Sequence, residues 1–211
     1  MTDFLFDGPE GAKTTLVLAH GAGAPMDSPF METFAQGLGE RGIAVARFEF
    51  PYMVSRRATG NKRPPDRQPI LLQTWAEVIA RLRDKGVINR LAIGGKSMGG
   101  RMASLLVAET DAPDVQALVC LGYPFHPAGK PERLRTEHLR HLPLPCLMVQ
   151  GERDTLGNRP EVEGYSLPDA IRFHWCPDGD HSLVPRKRSG FTQDGNWTAA
   201  MNAIAEFLQP I

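Results

Sequence analysis

Gly95-Lys96-Ser97-Met98-Gly99-Gly100 sets a serine between glycines at the spacing G-x-S-x-G. The run follows the apolar, strand-like Leu91-Ala92-Ile93 and precedes Met102, Leu105 and Leu106, which continue at helical spacing. Between a strand and a helix this pattern describes a nucleophile elbow. Its glycines keep side chains out of a very sharp turn. The strain of the turn holds the hydroxyl out at the strand tip, and the following helix aims its N-terminal N–H groups and positive dipole end at the same point. Alone, the pattern also fits a plain glycine-rich turn.

A serine hydroxyl needs a base before it attacks anything, and near neutral pH that base is usually histidine. His181 lies in the polar loop Pro177-Asp178-Gly179-Asp180-His181-Ser182, after one strand pattern and before the last helix. His20, His126, His138, His141 and His174 compete with it. His174 belongs to an alternating strand, and His138 and His141 to a basic, helix-like stretch. An acid must fix the tautomer of the base and stabilise its charged form. Asp154, just beyond Cys146-Leu147-Met148-Val149-Gln150, is the first choice, with Glu152 its nearest rival and Asp178 and Asp180 further candidates. Charge developing on a carbonyl oxygen needs fixed donors. The Met98 N–H directly after the serine is one. The other is expected from the small-residue loop His20-Gly21-Ala22-Gly23-Ala24, at Ala22 with Gly23 next. His20 itself reads as a residue that steadies this loop.

Short apolar runs alternate with helical patterns along the chain. Strands are expected at 15–19, 44–50, 91–95, 117–122, 145–150 and 171–176. Ser28-Pro29 opens a helix carrying Met31, Phe34, Ala35 and Leu38 on one face, with Gly42 as its stop. Trp75, Val78, Ile79 and Leu82 mark another helix ending at Gly86, and Trp197, Ala200, Met201, Ile204, Phe207 and Leu208 mark the last. Such alternation means a mostly parallel central sheet with helices on both faces, one domain over 1–211, and ligands bound beyond the carboxyl ends of the strands. Ser97, Asp154 and His181 each fall at such an end.

Lys+Arg and Asp+Glu are 24 each in 211 residues, so the chain lacks the excess positive charge that nucleic-acid binding draws on. No apolar run reaches the ~18–20 residues of a membrane span. No leader pattern follows Met1, and three scattered cysteines (Cys120, Cys146, Cys176) fit a reducing compartment better than a disulfide framework or zinc site. The expectation is a cytoplasmic protein with neither nucleic acid nor membrane as partner.

The serine, acid and histidine follow the order Ser…Asp…His of the α/β-hydrolases. The stretches from His20 to Met31 (HGAGAPMDSPFM), from Gly94 to Arg101 (GGKSMGGR) and from Gly151 to Asp154 (GERD) resemble a group of small bacterial serine hydrolases related to dienelactone hydrolases. The first is the most group-specific, and the similarity spans nearly the whole chain. The resemblance implies an α/β-hydrolase fold and a carboxylesterase-like enzyme for esters, thioesters or lactones. It implies a small-molecule acyl substrate and neither cofactor nor metal. Dienelactone hydrolases proper use cysteine where this chain has Ser97. Two other readings stay open: a non-catalytic binding or scaffold protein on the same fold, as in some distant relatives, and a small serine peptidase.

The interval from Pro124 to Pro143 has room for a turn and one short helix, about 131–142, so a minimal cap and an open site are expected. Pro51 to Pro69 reads as a polar loop. Its Arg56, Arg57, Lys62, Arg63 and Arg67 face only Asp66, as a solvated loop or a positive rim for anionic acyl groups. Lys96 reads as structural, its side chain diverging from Ser97. Phe30, Met26, Met31 and Tyr123 are candidate pocket residues.

Overall fold

The computed structural model describes residues 3–86, 89–110 and 114–209; Met1 and Thr2, where a leader would begin, lie outside them. Among the described residues, seven strands form one sheet: β1 (Leu5–Asp7), β2 (Thr14–Ala19), β3 (Ala44–Phe48), β4 (Arg90–Lys96), β5 (Val115–Leu121), β6 (Cys146–Gly151) and β7 (Ile171–Cys176). Their order is β1-β3-β2-β4-β5-β6-β7. Only the β1–β3 pair is antiparallel. The six longer strands match the six expected from sequence to within a few residues. The three-residue edge strand β1 is too short to show a period.

Both faces of the sheet are covered, which is why its inner strands are apolar throughout and do not alternate. Every residue of β2 and β6 is buried. One face packs Val17, Phe48 and Ile93 under α2 (Pro51–Thr59), α3 (Gln68–Asp84) and α4 (Met98–Glu109). The other packs Leu16, Leu18 and Val119 under α1 (Pro29–Gly39) and α6 (Gln193–Leu208). Full burial of one such aliphatic side chain stabilises the fold by about 1.5–3 kcal/mol.

The polar loop expected over 51–69 is largely helix. Pro51 sits at the first helical position, where its missing N–H costs nothing, and Gly60 ends α2 in the left-handed region at φ 70°. Tyr52 and Met53 turn into the core, and this packing overrides the polar composition of the rest. The short helix expected near 131–142 shrinks to one 3-10 turn, Glu137–His141, so the cap is minimal. Helix α5 (Arg159–Glu163) went unread; Asn158 and Glu161 close a reciprocal capping box around it. Helix α1 ends at Gly39, three residues before the expected stop at Gly42.

From β2 the chain steps to β3 on one side, then crosses back so that β4 lies on the other side of β2. This reversal opens a crevice beyond the carboxyl ends of β2 and β4, where sheets of this kind bind ligands. His20-Gly21 and Ser97 are the residues that leave those two ends.

Candidate active site

Ser97 joins β4 to α4 with φ 51° and ψ −114°, a conformation costly for a residue with a side chain. Its N–H donates to Leu121 O (2.9 Å), and its carbonyl accepts the Arg101 N–H (3.0 Å). The flanking glycines are required by the neighbouring strand as much as by the turn itself. A Cβ on Gly99 would lie 2.5 Å from Ala19 O and 2.7 Å from His20 O, and one on Gly95 would run into the same Ala19 carbonyl. The end of β2 can lie against the elbow only because those Cβ atoms are missing.

The structure brings Ser97, His181 and Asp154 together. His181 Nε2 is 2.9 Å from Ser97 Oγ, and its Nδ1 is 2.8 Å from Asp154 Oδ2. An ionised carboxylate only accepts, so Nδ1 carries the hydrogen and Nε2 is left to accept from the serine hydroxyl. Asp154 is fully buried. Its other bonds come from Leu156 N–H (2.8 Å to Oδ1) and Gln150 Nε2 (3.0 Å to Oδ2). Gln150 also donates to Tyr123 O and Gly157 O and accepts from Tyr123 N–H, locking the turn that holds the acid. Sequence reading missed Gln150; its signal is an amide at the polar end of an otherwise apolar strand.

The rival acids are engaged elsewhere. Glu152 accepts from Arg159 and from Asp178 N–H. Arg186 beside Asp178 holds that carboxyl well below the usual carboxylate range. Asp180 caps its own turn through Ser182 and Val184 N–H groups. The rival histidines also have other settings. His126 is tied to Pro127 O, His141 is exposed, and His174 is partly buried in β7. His138 meets a second serine, Ser104, at 2.9 Å. Among the described residues no carboxylate is hydrogen-bonded to this pair, and burial and then Arg101 lower His138 to about 4.

Ala22 lies in the loop after β2 and borders the Ser97 crevice. Met98 is the first residue of α4, where N–H groups have no intrahelical acceptor. His20 accepts the Phe50 N–H on Nε2 (3.1 Å), so its Nδ1–H is the donor to Gly21 O (2.7 Å). Burial lowers the pKa of this ring and keeps it neutral. The Tyr52 hydroxyl lies 3.2 Å from Gly21 O and 3.1 Å from Ala22 O, turning those carbonyls toward itself. Tyr52 is a second residue that the sequence pattern does not reveal, because the composition of its segment is that of a polar loop.

The crevice has a volume of about 370 Å³ and holds Ser97, His181, Gly21–Ala24, Phe30, Met31 and Lys96 along its walls. A separate groove of about 400 Å³ between α2 and α3 contains none of the Ser97 constellation. Tyr123 does not line the crevice: it is fully buried, its hydroxyl donating to Arg135 O. The basic stretch is also quieter than its composition. Arg57 is paired with both Glu49 (2.5 Å) and Asp27 (2.7 Å), and Arg56 donates to Gly23 O. Lys96 does not diverge from the site as expected, since it lines the same crevice as Ser97. Among the described residues, no group of three or more His, Cys, Asp or Glu is placed to hold a metal ion, and no helix is long and apolar enough to cross a membrane.

A family model described as an alpha/beta hydrolase domain matches residues 12–209. Among solved structures, the chain is similar to an alpha-beta serine hydrolase homologue from Coxiella burnetii (TM-score 0.73, 16% identity, 98% of this chain and 91% of that one). It is similar to a serine hydrolase without lid from Xanthomonas campestris (TM-score 0.73, 20% identity, 100% and 91%). A dienelactone hydrolase from Anabaena variabilis aligns at TM-score 0.71 and 22% identity, over 97% and 89%. At these identities the likeness establishes a shared fold.

Proposed function

The chain belongs to the alpha/beta hydrolase domain family, and from that premise we propose that it is a serine hydrolase of small carboxylic esters, thioesters or lactones. The observation that carries this reading is the unbroken hydrogen-bonded line from Ser97 Oγ through His181 to Asp154. Ser97 Oγ attacks the acyl carbon while His181 Nε2 takes its proton. Asp154 orients the ring and stabilises the imidazolium. The carbonyl oxygen, now negative, is held by the N–H groups of Met98 and Ala22. His181 returns the proton to the leaving oxygen or sulfur, which departs and leaves an acyl-enzyme. Water, deprotonated by His181, then cleaves the acyl group from Ser97 and restores the hydroxyl.

The minimal cap and the open crevice suit a small acyl substrate in solution. The paired state of Arg57 weakens the idea of a positive rim attracting anionic acyl groups. Reversing the charge of Arg56 and Arg57 should leave the relative turnover of anionic and neutral esters unchanged.

The test is a fluorophosphonate probe with a panel of esters, thioesters, lactones and peptides. Labelling and ester turnover by the wild type, both absent in Ser97→Ala, support the proposal. A well-folded wild type that neither labels nor turns over any substrate supports a binding protein instead. Turnover confined to peptides points to a peptidase.

A further inference from the structure

The loop that carries His181 is firmly attached toward α6 and β6 and more sparsely toward the strand that bears Ser97. Toward α6, Asn196 Nδ2 donates to Pro177 O (3.0 Å) and Leu183 O (2.9 Å), and Trp197 Nε1 donates to Ser182 O (3.0 Å). Toward β6, Arg153 donates to Gly179 O through its backbone and to Asp178 O through Nε. Toward the strand that bears Ser97, the described residues offer two ties. One is the bond from His181 to Ser97, which any acyl transfer must break. The other is Lys96, whose Nζ donates to His181 O at 2.6 Å.

We propose that Lys96 is a positioning residue, its ammonium strapping the His181 loop to the Ser97 strand across the open crevice. The proposal rests on the serine-hydrolase reading for its effect on catalysis. The loop has need of such a strap. Asp178 and Leu183 stand in the left-handed region at φ 49° and 66°, which non-glycine residues hold only when their surroundings force them to. The surroundings are also shaped for the lysine. Gly122, at φ 61°, leaves open the space in which a Cβ would lie 2.7 Å from His181 O and 2.8 Å from Lys96 Nζ. The Phe30 ring, 5.5 Å away, faces the ammonium from the crevice side. Burial lowers Lys96 to about 8, against the opposing pull of Asp154 and Asp180. The group therefore stays mostly charged near neutral pH, and a charged donor makes the stronger bond. While His181 hands its proton between Ser97 and the leaving group, the strap holds the backbone at residue 181 in register with the elbow.

Lys96→Met keeps the stem and removes the donor. Lys96→Gln, too short to reach, is the second variant should the first not fold. Amide hydrogen exchange across 177–184 should run about tenfold faster in either variant, with exchange in β2 and the melting temperature close to wild type. In the ester assay kcat should fall roughly ten- to a hundredfold with KM nearly unchanged, because misplacing a reacting group acts on the chemical step. Unchanged exchange in 177–184 overturns the proposal whatever the activity does, and so does faster exchange with kcat within twofold of wild type. Absence of wild-type labelling and turnover would defeat the hydrolase reading alone, and exchange would then decide whether Lys96 holds the loop.

Discussion

Two serine–histidine pairs lie in this molecule at the same 2.9 Å separation, Ser97 with His181 and Ser104 with His138, and they differ in everything else that chemistry needs. Ser97 stands on a strained turn at a strand end, beside a crevice. Ser104 is fully buried inside α4. The other nitrogen of His181 rests on a buried carboxylate, whereas His138 faces Arg101 and, among the described residues, has no acid bonded to it. The hydroxyl hydrogens also have different destinations. Ser104 Oγ donates to Arg101 O, and the nearby Tyr123 hydroxyl donates to Arg135 O. With both hydroxyl hydrogens spent, His138 Nε2 must be the donor to Ser104, the reverse of the polarity a general base requires. Proximity of a serine to an imidazole is therefore not a catalytic signal. The direction of the hydrogen bond, set by what lies behind each partner, is.

That contrast can be broken or sharpened by substitution. Ser97→Ala should show the largest effect, a loss of kcat on the order of 10⁶ by analogy with other serine nucleophiles, read with a chromogenic ester. Asp154→Asn keeps the shape but presents an amide to His181 Nδ1. A fall of about 10⁴ in kcat is expected, since the ring is held in the wrong tautomer. Tyr52→Phe frees the Ala22 carbonyl and leaves Gly21 O to His20 alone, and should lower kcat about tenfold by loosening the loop proposed to hold the oxyanion. Ser104→Ala should change kcat by less than about twofold and cost about 1–3 kcal/mol in denaturant unfolding, since it removes the bonds to Arg101 O and His138. A large loss of activity in Ser104→Ala would erase the distinction between the two pairs.

The smallest effect concerns pH and stability. His138 has its pKa lowered from 6.5 to about 4 by burial and then by Arg101. Below pH 6.5 the unfolded chain takes up a proton at this position that the folded chain refuses until about pH 4. The contribution to stability is thus complete above 6.5 and is lost as pH falls toward 4. His138→Gln should flatten the decline of melting temperature across that window. His20 and His174, whose pKa values are also lowered by burial, keep part of the slope. An identical slope in the variant would mean that His138 does not titrate differently in the two states.

The central strands, and the three side chains that the structure brings together at the Ser97 crevice, were legible because their signals are local. An apolar run such as Leu16-Val17-Leu18 or a glycine pair around Ser97 declares itself within a few residues. Helix α2 was not legible, since Arg56, Arg57 and Thr59 give its window a polar look, and only the packing of Tyr52 and Met53 shows its buried side. Gln150 and Tyr52 were invisible for a related reason. Each works through bonds to backbone carbonyls 27 or 30 residues away, Tyr123 and Ala22, which no spacing rule reports. Adjacency on the elbow predicts that Lys96 diverges from Ser97, but its long stem lets the ammonium reach the loop of His181.

By itself, the order of residues determined which groups can act as nucleophile, base and acid, and that each would emerge at the end of a strand. It determined this because side-chain chemistry and the periods of apolar residues are properties of short stretches of chain. Only the tertiary structure decided that His181 and not His138 meets the serine on the crevice wall, that Asp154 and not Glu152 lies behind it, and which carbonyls hold the surrounding loops. These are choices among chemically equal candidates. They are made by distance and hydrogen-bond direction across the crevice, and those exist only once β2, β4 and β6 have paired around their common core.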